Sequence, residues 1–281
     1  MNSYDQNNQY QPGGYAPYQG QPNEPMVSPQ PQPQYNYQPI YQGSPEYNQP
    51  EYKNEPLQSI SYEYMVRKGF IIKTYGILLT QLAITCFFIC LSFIPAVKEI
   101  VSKGMKSPII LTFFIIFIIV TIVVLVVFVC FREIARRVPI NYILLFSYTL
   151  CMSFYCLLLC SFFKIEEVIS AVILTFGATV GLTIYAAKTT TDFTFCGAFL
   201  FAFILIFILT GGLFIWLHFK VLYLAVGVII YSLYLIYDTQ LIIGNKTFEY
   251  NVDDYCLAAL NLYIDIIYMF IYILQLIGGS K

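Results

Sequence analysis

Residues 255–277, YCLAALNLYIDIIYMFIYILQLI, decide the fold. The stretch is long enough to cross a bilayer, which takes about 20 predominantly apolar residues, yet it carries a carboxylate, Asp265, near its middle. An acidic side chain at the centre of a spanning helix costs roughly 2.5–3.5 kcal/mol on the insertion scale. Asn261, Asp265, Tyr268, Tyr272 and Gln275 follow one another at steps of four, three, four and three, which puts them in one stripe on one helical face. Lipid cannot satisfy such a stripe, so it must face other helices or water. The C-terminal helix is therefore expected at the centre of a bundle.

Working outward, 58% of the 281 residues are hydrophobic and 11% are charged, against about 25% charged in a soluble domain. This is the composition of an all-α polytopic membrane protein. Seven spans are expected at about 70–95, 109–131, 140–163, 167–187, 194–217, 221–243 and 255–277, within a domain covering 61–281. The separators are short and polar, which makes sequential helices antiparallel. Pro108 and Pro139 stand where new helices begin, where a missing N–H costs little.

Residues 1–60 hold eleven of the fourteen prolines among Gln, Tyr and Asn, and are expected to stay disordered as a cytosolic tail. The polar start leaves the first span to direct insertion itself. The net charge of −1 gives no reason to expect a nucleic-acid partner. The eight cysteines are scattered, mostly within apolar runs and without a CxxC, so they read as small packing residues. The single histidine, His218, makes a His/Cys zinc site improbable.

Lys and Arg set the orientation. A cytosolic N-terminus puts Arg67, Lys68, Lys73, Arg132, Arg136, Arg137, Lys188 and Lys246 on the cytosolic side. It leaves Lys98, Lys103, Lys106, Lys164, Lys220 and Lys281 opposite. Arg132, Arg136 and Arg137 read as a topology anchor, with a lipid headgroup site as the lesser alternative. Gly177 and Gly181 form a GxxxG beside Thr175, Thr179 and Thr183, which reads as a helix-packing face. Gly211 and Gly212 read the same way or as a kink. Asn245-Lys246-Thr247 is a glycosylation sequon, expected to stay unmodified in a cytosolic loop.

Of the sixteen acidic residues, Asp238 and Asp265 are read as the ones inside spans, unaccompanied by Lys, Arg or His. They fall on antiparallel neighbours with an axial offset of roughly 7–8 Å, which tilt can close. Tyr231 and Tyr234 share a face with Asp238, as Asn261 and Tyr268 do with Asp265. Two carboxylates about 4 Å apart repel by on the order of 4 kcal/mol at an effective dielectric near 20. A shared proton relieves this, or a cation does, and Ca²⁺ accepts flexible all-oxygen shells. Asp238 and Asp265 are thus candidates for a pH sensor, a cation gate and a transient Ca²⁺ site. The bland alternative is a pair of protonated acids that simply hydrogen-bond two helices together.

These residues also carry a resemblance. IYDTQLIIGN (236–245) and EYNVDDYCLAALNLYIDIIYMFIYILQL (249–276) closely resemble the Bax inhibitor superfamily, specifically the lifeguard branch of transmembrane Bax inhibitor motif proteins. VRKGFIIKTYGILLTQLAIT (66–85), RRVPINYILLFSYTLCMS (136–153), TTDFTFCGAFLF (190–201) and the Pro/Tyr/Gln-rich tail match as well. The resemblance covers about 66–281. It implies two layers of helices around a central C-terminal helix. It also implies a pH-sensitive Ca²⁺ leak across an intracellular membrane, endoplasmic reticulum or Golgi, and suppression of cell death. The family's di-aspartyl pH sensor falls on Asp238 and Asp265. Bacterial relatives latch one aspartate with an arginine in the second span, and here 109–131 carries no charge.

The expected activity is therefore a Ca²⁺ leak channel or Ca²⁺/H⁺ exchanger, with Ca²⁺ as cargo and no cofactor. The alternative is a regulatory membrane protein acting through cell-death or stress-signalling partners. No enzyme is expected: Tyr237-Asp238 matches the YD of intramembrane aspartyl proteases, but the second aspartate stands in YIDI, not GxGD.

Overall fold

The computed structural model describes residues 57–104, 108–216 and 219–279. Most of the Pro/Gln/Tyr-rich tail, His218, Lys106 and Lys281 lie outside the described residues. Residues 57–60, expected in the tail, belong to the first helix.

The regular structure among the described residues is helical, in the order α1 (Leu57–Leu91), α2 (Pro95–Gly104), α3 (Pro108–Cys130), α4 (Arg132–Arg136), α5 (Ile140–Cys160), α6 (Ile165–Lys188), α7 (Gly197–Trp216), α8 (Lys220–Ile243) and α9 (Tyr255–Gly278). A 3-10 turn, Thr194–Cys196, leads into α7. Among the described residues, six helices are long and apolar enough to cross a membrane: α1, α5, α6, α7 with its 3-10 lead, α8 and α9. In α3 the described apolar stretch is shorter, Ile115–Phe128, so the count of seven stays an expectation.

Two separators read as plain loops are helical. Residues 95–104 alternate apolar and charged positions at helical spacing, and the resulting helix α2 buries Val101 against Leu157 and Leu158 while Lys103 pairs with Glu99 on its outer face. Residues 132–136 form α4. At 35 residues, α1 is about 52 Å long, well beyond the roughly 30 Å hydrocarbon core.

The C-terminal helix is central, as its polar stripe demands. It packs against α1, α5, α6 and α8, with Ala258, Ala259, Leu260, Tyr263, Met269 and Leu274 fully enclosed. On one side of it lie α1 and α5, with α3 behind α5. On the other lie α6 and α8, with α7 behind α8.

The ends sort as alternating spans require. Arg67, the 189–194 segment, Arg136 and the α8–α9 loop gather at one end. At the other, Lys98 Nζ donates to Phe163 O at 3.5 Å, and Gly278 sits against the Phe163 ring.

The GxxxG reading is not met within this chain. A Cβ on Gly177 or Gly181 would touch nothing within 4 Å, because that face of α6 points away from the bundle. At Gly211, by contrast, a Cβ would meet the Tyr223 hydroxyl at 2.8 Å, a true close approach.

Candidate functional site

Between α4, α7, α8 and α9 lies a cavity of about 800 Å³, open at the Arg67–Arg136 end. Asp238 and Asp265 line its interior, each 3% exposed. The two carboxyls are close enough to influence each other, so the axial offset expected from sequence does not keep them apart. Asp265 Oδ2 is buried without a hydrogen-bond partner.

The pair has company that the sequence did not reveal. Tyr250, from the α8–α9 loop, donates its hydroxyl to Asp238 Oδ1 at 2.9 Å, and Asn261 Nδ2 donates to the same hydroxyl at 2.6 Å. Burial first, and then the Asp238 carboxylate, push the Tyr250 phenol well above its ordinary pKa. It therefore stays a neutral donor across the physiological range. No local pattern marks Tyr250 as a site residue, because its reach inward depends on how the loop folds back.

That fold-back starts at Gly244, with φ 79 and ψ −163, a backbone region that only glycine enters easily. A Cβ there would also meet Arg67 Nη2 at 2.8 Å. The Arg67 guanidinium donates to Leu241 O at 2.6 Å, Tyr250 O at 2.7 Å and Ile243 O at 3.3 Å. These include carbonyls that the end of α8 leaves without helical partners. At the far end of the loop, Arg136 grips Asp254 with two parallel bonds of 2.7 and 2.8 Å. The Asp254 carboxylate raises the Arg136 pKa above its ordinary value.

Arg136 is thus a structural tie as well as a basic residue at a membrane end. Arg132 also lines the cavity, whereas Arg137 does not. This corrects the expectation that the acids stand without basic neighbours. No charge lies along 109–131, but the helix just beyond it brings Arg132 and Arg136 to the cavity. Lys73 likewise lies inside a span and sits 3.3 Å from the Tyr255 ring centre.

The four supporting residues divide. Asn261 bonds Tyr250, and Tyr231 and Tyr234 line the cavity. Tyr268 does not line it, but stacks on Tyr231 with ring centres 5.0 Å apart and planes 8° from parallel. Tyr272 packs against Tyr231 beside it at 5.8 Å, so the deep part of the polar stripe is an aromatic floor.

Among the described residues, no three acidic, His or Cys side chains converge as a metal site. The pair supplies carboxylate oxygens but no complete Ca²⁺ shell, which takes six to eight ligands.

Residues 67–281 match the family described as inhibitor of apoptosis-promoting Bax1. The chain belongs to the Bax inhibitor family. Within that family it is 32% identical to Protein lifeguard 3 of Homo sapiens, over 96% of this chain and 90% of the relative. It is 31% identical to Protein lifeguard 3 of Mus musculus, over 95% and 89%. It is also 30% identical to the Golgi anti-apoptotic protein of Vaccinia virus (strain Lister), over 77% and 87%. Bax inhibitor family membership and the lifeguard relatives agree with the resemblance carried by 236–245 and 249–276.

Proposed function

We propose that this protein is a pH-sensitive Ca²⁺ leak channel or Ca²⁺/H⁺ exchanger, with Asp238 and Asp265 as its gate, and that it restrains cell death. The observation that carries the reading is a pair of buried carboxyls lining the same open cavity, one of their oxygens unpartnered. Ionising both is opposed by their mutual repulsion, so a proton or a passing cation sets the state of the pair.

The groups facing the pair are Arg132 and Arg136 from α4, Tyr231, Tyr234 and Tyr237 from α8, and Glu249, Tyr250 and Asp254 from the loop. Arg136 is committed to Asp254, whereas Arg132 lines the cavity as an exposed positive charge.

Restraint of cell death rests on the family description and on the name of the viral relative. That name also favours a Golgi or endoplasmic reticulum membrane. We place the N-terminus in the cytosol, with α3 as a seventh span and Arg132, Arg136 and Arg137 as topology anchors. We propose no catalytic activity and no cofactor, and take the lipid bilayer, Ca²⁺ and protons as the immediate partners.

The test is Ca²⁺ flux into proteoliposomes as a function of pH, for wild type, Asp238→Asn, Asp265→Asn and the double variant. The gate reading expects a pH-dependent flux whose pH response is lost in the double variant. Equal profiles from wild type and double variant reject it.

The same names favour a second reading, a regulatory protein that acts through other membrane proteins without transport. It expects protection from cell death to survive in the double variant and to disappear when residues 1–56 are deleted.

A further inference from the structure

One oxygen of the acid pair is capped where it lines the cavity. The Tyr250 hydroxyl sits on Asp238 Oδ1 and is itself held by Asn261, so a cation that is to use this oxygen must displace the phenol, which lines the same cavity. The loop bearing it is tied to the 189–194 segment through Lys246, Thr247 and Phe248, and three further ties hold the part that carries the phenol. Tyr250 N donates to Leu241 O at 3.0 Å, Arg67 joins Tyr250 O to the end of α8, and Arg136 holds Asp254.

Between Gly244 and Asp254 the chain is otherwise exposed or half-buried. Glu249 stands 3.6 Å from Arg67 at the cavity wall, so an arriving cation meets the very carboxylate that helps hold Arg67.

We propose that Tyr250 is the stopper of this pathway and that Arg67 is the residue that positions it. Transport then requires the phenol to leave Asp238, which exchanges a neutral donor for the incoming cation at that carboxylate. Arg67 acts only through the loop: with four acceptors around one guanidinium, it holds the Tyr250 carbonyl against the end of α8. The inference rests on the gate reading above and names the group that closes it.

Ca²⁺ flux in proteoliposomes at fixed pH tests it with Tyr250→Phe and Arg67→Ala. Tyr263→Phe is the control: it removes another buried tyrosine hydroxyl from contact with its partner Thr85, on the opposite face of α9. Flux should rise roughly fivefold in Tyr250→Phe, the factor that follows from losing one net hydrogen bond. It should also rise in Arg67→Ala and stay at the wild-type level in Tyr263→Phe. Arg67→Lys, which keeps the charge but not the fork of donors, should fall between wild type and Arg67→Ala.

Thermal unfolding of each variant in detergent separates a folded, leaky protein from a damaged one. Tyr250→Phe flux equal to wild type overturns the stopper, and flux below wild type overturns it too, by making the hydroxyl a cation ligand. If the Asp238→Asn, Asp265→Asn double variant keeps the wild-type pH profile, the gate reading itself fails. If the double variant is flat while Tyr250→Phe matches wild type, only the stopper fails.

Discussion

Two buried polar networks hang on the same helix and are built to opposite ends. On the α1–α5 side of α9, Thr85 bonds Tyr263 at 2.7 Å and Ser153 at 2.9 Å, and Gln81 Nε2 donates to Thr149 at 2.8 Å. These groups are neutral, enclosed and anchored back to helix carbonyls, as Thr85 is to Gln81 O and Ser153 to Thr149 O. On the α8 side, two residues further along α9, Asp265 meets a second acid, keeps one oxygen unpartnered and borders an open cavity. A neutral network tied back to helix carbonyls at several points fixes one arrangement of helices, even with Gln81 Oε1 left unpartnered. An under-satisfied charged one is held in place only by its surroundings, and it changes whenever a proton or cation arrives. One side of α9 is a hinge plate and the other a switch.

The sharpest way to break that contrast is to exchange what each side loses. Asp265→Asn removes carboxylate repulsion and should leave thermal stability in detergent unchanged or higher, while abolishing the pH response of Ca²⁺ flux. Tyr263→Phe should do the reverse, with wild-type flux and a loss of about 0.5–1.5 kcal/mol. If Asp265→Asn proves the more destabilising of the two, the acid pair is architecture and the comparison collapses.

The ties around the switch come next. Arg136→Ala leaves Asp254, 6% exposed, without its bidentate partner. It should cost about 1.5–3 kcal/mol, the range for hydrogen bonds to charged groups. Asp254→Ala should cost less, because the guanidinium it frees is 38% exposed and water can take the place of the carboxylate. Gly244→Ala should cost on the order of 1–3 kcal/mol, since φ of 79 strains any L residue and the new Cβ meets Arg67 and Glu249. Thermal unfolding of the three variants gives the order directly.

A pH dependence separates the switch from another acid near the same end. Asp192 accepts bonds from Thr194 and Thr247, and these donors hold its carboxylate below the usual range. A depressed folded-state pKa means that the associated stability is present above the ordinary value of about 3.9 and is lost as pH falls through the lower folded value. Between pH 5 and 8 this contribution is constant. Asp192→Asn should therefore keep the wild-type midpoint of flux against pH, be less stable by a constant amount between pH 5 and 8, and lack this carboxylate's share of the stability decline in strong acid. A shifted midpoint would assign part of the switch to Asp192.

What was legible in the sequence follows from what periodicity can carry. The stripe from Asn261 to Gln275 placed α9 at the centre, because a helix reports its faces in its own spacing. It also paired Asp238 with Asp265, because adjacent antiparallel helices leave little freedom in register. Tyr250, Arg67 and Arg136 stayed hidden as site residues. Their positions depend on a glycine-led turn and on contacts across as many as 183 residues of chain, and neither leaves a local pattern. The amphipathic α2 was missed for a simpler reason: a ten-residue helix with three charges looks like a polar linker beside spans that have none.

The smallest effect expected is also the one that bears on the outer surface. GxxxG promises close helix packing, yet Gly177 and Gly181 face open space on a helix whose Ile169, Ile173 and Phe176 are exposed. In this chain alone the two glycines have nothing to pack against, so Gly177→Ala should change stability by less than about 0.5 kcal/mol, helped slightly by alanine's better helix propensity. Gly177→Leu tests the same face with more bulk. Stability and monodispersity equal to wild type would show the two glycines facing only lipid. A drop in stability together with a change in mass by light scattering would mean that another helix packs there, and would move the GxxxG from the solitary chain to an assembly.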